Sequence, residues 1–83
     1  MMKTYTELQE HVYKYLVKYF KVKPVYLDGA MVLHDHLNSN GLAELVLEID
    51  TFLGYPIVDY LDYGNTDQTL RTFLNTIYAD YIK

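Results

Sequence analysis

Asn38-Ser39-Asn40-Gly41-Leu42-Ala43-Glu44-Leu45-Val46-Leu47-Glu48-Ile49-Asp50-Thr51-Phe52-Leu53-Gly54 reads as one amphipathic helix with its start and its stop. Asn38, Ser39 or Asn40 can cap it, because a short polar side chain accepts from an otherwise unpaired backbone amide. Leu42, Leu45, Val46, Ile49, Phe52 and Leu53 recur at helical spacing, while Glu44, Glu48 and Thr51 fall on another face. Gly54 supplies the left-handed residue that ends a helix, and Pro56 follows closely.

Working outward, the N-terminal segment carries a second helix. Thr4-Tyr5-Thr6-Glu7 has the Thr-x-x-Glu form of a capping box. Leu8, Val12, Tyr15, Leu16, Tyr19 and Phe20 then form an apolar stripe, and Lys14, Lys18 and Lys21 lie between them. This helix spans about residues 5–21 and ends before Pro24, which disfavours helical geometry in the residue before it. On the C-terminal side a last helix opens at Asn65 or Thr66 and runs to about residue 81. It turns Leu70, Phe73, Leu74, Ile77, Tyr78, Tyr81 and Ile82 inward. A short helical turn is expected at Asp59–Tyr63, before Gly64.

Residues 23–38 make a long connection that is too apolar for a free linker, so several of its side chains are expected to pack across helix ends. A short strand at Met31–Leu33 is allowed by composition but has no evident partner. The reading is a single all-α domain over residues 1–83: a small four-helix bundle of three longer helices and one short one.

Composition narrows the function classes. Eighty-three residues support one modest core. With no cysteine, disulfides and thiolate metal sites are excluded, and a reducing, cytoplasmic setting follows. No secretory signal and no apolar run of about 20 residues is present, so no membrane span is expected. The net charge of −4 is unevenly spread. Residues 1–23 hold five lysines against two glutamates, and residues 24–83 hold nine acids against Arg71 and Lys83. Such a balance repels nucleic acid and favours a basic protein partner. His34-Asp35-His36 would put two imidazoles on one side of an extended segment, but no further ligand is spaced to complete a metal site. Ser39 with a histidine could be imagined as nucleophile and base, yet there is no Gly-x-Ser-x-Gly elbow, and no enzyme activity is expected.

Ser39 itself reads in two ways: as a helix cap, or as a hydroxyl that carries a phosphodiester beside free amides and the positive end of the helix dipole. The stretch 37–57 resembles the acyl carrier protein family. That family places an Asp-Ser-Leu motif at the start of its second helix, a Glu-Leu-Val-like run five residues after the serine, and a Phe-Gly-x-x-Ile-like ending. Here Glu44-Leu45-Val46 stands five after Ser39, and Leu53-Gly54-Tyr55-Pro56-Ile57 occupies the ending in register. Asn38 and Asn40 stand where the family has aspartate and leucine. The order of helices and the long first loop match across nearly the whole chain.

The resemblance implies that Ser39 bears 4′-phosphopantetheine, added from coenzyme A by a phosphopantetheinyl transferase. The thiol for thioester chemistry would then come from the prosthetic group. It also implies that Glu44 and Glu48, with apolar Leu47 beside the arm, face the basic docking patches of acyl- or aminoacyl-transferring enzymes, the carrier being a monomer. The cargo is left open among fatty acyl, polyketide, peptide and aminoacyl groups. An unmodified helical interaction module, docking through the same acidic helix, is the alternative, and the glutamates can equally be a solvated face.

Overall fold

Thr4 opens the first helix by the expected device. Its hydroxyl accepts from the Glu7 amide at 3.1 Å, and its own amide donates to Glu7 Oε1 at 2.9 Å. These hydrogen bonds hold the Glu7 carboxyl below its ordinary range. The computed structural model describes residues 2–56 and 68–83. Within them lie three α-helices: α1 (Tyr5–Phe20), α2 (Ser39–Leu53) and α3 (Leu70–Tyr81). Two short 3-10 turns, Pro24–Tyr26 and Leu33–Asp35, lie in the connection between α1 and α2. The described residues are thus all-helical, apart from one isolated antiparallel bridge between Val32 and Thr69.

The helix ends follow local chemistry. α1 stops at Lys21, whose φ of 59° is left-handed, and the Val22 amide reaches back to the Leu16 carbonyl at 3.2 Å. Val22 is buried just beyond this turn. α2 stops at Gly54, φ 66°, where only a residue without Cβ takes the left-handed conformation freely.

α1 and α2 pack antiparallel. Phe20 at the end of α1 meets Gly41 at the start of α2, and His11 meets Glu48 and Phe52 farther along. The core is built from Leu8, Val12 and Leu16 of α1, Leu45, Val46, Ile49 and Leu53 of α2, and Leu70, Phe73, Leu74 and Ile77 of α3. Met31, Leu33 and Leu37 of the connection are buried with them. The expectation that this connection packs across helix ends therefore holds, although Val25 and Tyr26 stay exposed.

Two expectations are corrected. The last helix does not open at Asn65 or Thr66: Gln68 and Thr69 are non-helical, and Thr69 caps the helix by accepting from the Thr72 amide at 3.2 Å. The cause lies far away in sequence. Leu33 donates to the Gln68 carbonyl (3.1 Å), Leu70 to that of Met31 (2.8 Å) and Arg71 to that of Gly29 (3.1 Å), so the connection claims the backbone just ahead of α3. This clasp also gives Met31–Leu33 its partner, as a single bridge and not a strand. Second, Tyr19 and Ile82 are exposed although their spacing placed them inward. His34 and Asp35 lie in a 3-10 turn, so the extended geometry that would align His34 with His36 does not arise, and His36 turns against Tyr26 at 5.2 Å between ring centroids. The short helix expected at residues 59–63 falls outside the described residues.

The two ends of the chain are tied together. The Lys3 amide donates to the Tyr81 hydroxyl at 2.8 Å, and the Lys3 carbonyl accepts from the Tyr78 hydroxyl at 3.2 Å. Tyr5 meets Tyr78 edge-on at 5.6 Å. Half-buried tyrosine rings supply apolar area while the hydroxyls find partners at the rim. No helix among the described residues is long and apolar enough to cross a membrane.

Candidate functional site

The start of α2 is held from both sides. Leu37 anchors the approach in the core. Asn38 is the cap, its Oδ1 accepting from the Gly41 amide at 2.7 Å. Gly41 lies against Phe20: a Cβ there would come within 3.1 Å of Phe20 Cε1, a contact a side chain makes only if its neighbour gives way. Asn38, Ser39 and Asn40 are all exposed at this corner.

Of the three residues that could cap, the structure thus assigns the role to Asn38, and Ser39 is the first residue of the helix. The distinction is chemical. A capping hydroxyl is tied to a backbone amide, whereas a serine in the first helical position keeps its hydroxyl at the surface, beside amides of the first turn. Asn38→Ala is expected to lower stability by about 1 kcal/mol, and Ser39→Ala to change it by less than about 0.5 kcal/mol. Urea unfolding midpoints of the two variants check this, and equal losses would return the capping role to Ser39.

Along α2, Glu44 and Leu47 are exposed, Leu47 at 57%. At about 1.5 Å of rise per residue, Glu44 stands about 7.5 Å and Glu48 about 13.5 Å beyond Ser39 along the helix axis. Among the described residues, Glu48 differs from Glu44 in having an ion-pair partner. Its Oε2 lies 2.8 Å from His11 Nε2, and the His11 ring stacks on Phe52 at 4.0 Å with 12° between planes. Lys3 approaches the same Phe52 ring at 4.9 Å. The acidic face is therefore Glu44 and Leu47 in the open, with Glu48 joined to α1.

Beside that joint a groove of about 340 Å³ opens between α1 and α2, lined by His11, Lys14, Tyr15, Lys18, Tyr19 and Glu48. Tyr15 and Tyr19 pack ring to ring at 4.6 Å, and Lys18 Nζ lies 5.3 Å from the Tyr19 centroid. Burial, and then the charges of Glu48 and Glu44, push the Tyr15 hydroxyl above its ordinary pKa, so it stays a hydrogen-bond donor. Sequence reasoning missed His11 and this groove. The available signal was the run His11, Lys14, Tyr15, Lys18, whose spacing puts them on one helix face. His34 and His36 join no such cluster: among the described residues, no group of three histidine or carboxylate side chains could hold a metal ion.

A scan against protein-family models, a search of curated proteins and a search of solved structures each return no match to this chain.

Proposed function

We propose that the chain is an acyl or aminoacyl carrier, a four-helix bundle that holds 4′-phosphopantetheine on Ser39 and presents the tethered group to partner enzymes. The observation that carries this reading is the division of labour at the start of α2. Asn38 caps the helix, and the exposed Ser39 follows it as the first helical residue. An anion on the Ser39 oxygen would face first-turn amides and the positive end of the helix dipole. The resemblance of residues 37–57 to the acyl carrier protein family gives the reading its chemistry. The prosthetic group would supply the thiol that a chain without cysteine lacks.

The docking surface proposed for basic patches on partner enzymes is Glu44 and Leu47, with Glu48 held beside them by His11. Glu44, without an ion-pair partner among the described residues, offers a surface charge that steers encounter more than it adds affinity. Leu47, exposed at 57%, also favours a second reading, an unmodified interaction module that docks through the same face of α2.

Intact-mass measurement separates the two. After incubation with coenzyme A and several phosphopantetheinyl transferases, the wild type is expected to gain one phosphopantetheine and Ser39→Ala none. Failure of every transferase to modify the wild type would sink the carrier reading and leave the interaction module.

A further inference from the structure

We infer that the groove between α1 and α2 is a binding site for a small flat anion, an aryl carboxylate or aryl phosphate. The inference does not require modification of Ser39, although Glu48 both lines the groove and borders the docking surface proposed above. Its first support is shape. At about 340 Å³ the groove lies within the range of small-molecule sites, roughly 300–1,000 Å³, and suits a single-ring ligand.

Charge is the second support. The chain carries −4 overall, yet the groove presents Lys14 and Lys18 against one carboxylate, Glu48. That carboxylate is already bound to His11. Among the described residues, neither lysine makes an ion pair. Among the described residues Glu44 also acts on Tyr15 and so bears on the site. The ammonium groups, one turn apart, can close on the same anionic group as two point charges.

The third support is the floor. Tyr15 and Tyr19 form an aromatic ledge, their rings 4.6 Å apart and 37° from parallel. An aromatic ring stacks on such a ledge in an offset arrangement, which a saturated ring cannot reproduce. Tyr19 is 59% exposed and Tyr15 half-buried, so the ledge is open to a ligand. The protonated Tyr15 hydroxyl adds a donor to the groove lining, near Glu48 and Glu44. A solvated helix face would have the lysines, but not the concavity and the paired rings.

Heteronuclear NMR titration of the full chain tests this, with 4-hydroxybenzoate and phenyl phosphate as probes. Inorganic phosphate, benzyl alcohol and cyclohexanecarboxylate serve as controls that lack the ring, the charge and the flatness respectively. Saturable shifts are expected at His11, Lys14, Tyr15, Tyr19 and Glu48, with a Kd at or below about 1 mM. The tighter of the two probes identifies the anionic group. Lys14→Glu combined with Lys18→Glu should weaken binding at least about tenfold, while the double arginine variant retains it. Tyr19→Ala should weaken the aryl anions to the level of cyclohexanecarboxylate. All these positions are exposed, and circular dichroism of each variant verifies the fold. Non-saturable shifts, perturbations centred elsewhere, or controls that bind as well as the aryl anions would each overturn the assignment.

Discussion

Phe73→Ala is expected to cost about 3–5 kcal/mol, the range for deleting a fully buried aromatic side chain. Phe73 is 1% exposed and is the largest fully enclosed side chain among the described residues, so its removal leaves a cavity among the surrounding aliphatic groups. A domain of this size has only about 5–15 kcal/mol of stability in all. The variant should therefore unfold at far lower urea than the wild type, or fail to fold at 37 °C. Tyr19→Ala provides the contrast: it removes an equally large ring from the surface and should cost less than about 0.5 kcal/mol. Urea unfolding followed by far-ultraviolet circular dichroism measures both. A loss below about 1 kcal/mol for Phe73→Ala would mean that α3 is not docked as described.

Leu33→Ala carries the second large effect, about 2–5 kcal/mol. It tests whether the connection between α1 and α2 is part of the core. Leu33 is 3% exposed, and its backbone holds the Gln68 carbonyl in the clasp ahead of α3. Alanine keeps the backbone bond and removes only packing, so the loss reports burial. Val25→Ala, in the same connection but 78% exposed, should change stability by less than about 0.5 kcal/mol. Equal effects at the two positions would show that the connection does not pack as a unit.

The contrast between those two residues also marks how far local pattern reaches. α2 was legible to within a residue because a polar cap, a helical stripe and a glycine stop all lie within its own stretch. The start of α1 was legible for the same reason, through Thr4 and Glu7. The start of α3 was not. Asn65 and Thr66 offer a cap as good as Thr69 does, and the choice is made by Val32, Met31 and Gly29, more than thirty residues away. Tyr19 and Ile82 were misplaced because periodicity counts a tyrosine ring or a terminal isoleucine as apolar, whatever surface is there to receive it. Spacing alone could not choose between Asn38 and Ser39 as the cap, a choice that turns on one 2.7 Å bond. Glu48 read as a free acid on the face of α2. That it is shared with His11 depends on how two helices meet, which no single stretch encodes.

Holding Lys3 between Tyr78 and Tyr81 brings the way into the domain and the way out to one spot on its surface. A short splice between the two ends would close the backbone into a ring with little to distort, since closing a short loop between neighbouring points costs little chain entropy. New ends could then be cut at an exposed place such as Val25. By the same geometry the whole unit could be set into a surface turn of a host protein, hung there by two adjacent strings, without prying the host's own turn apart.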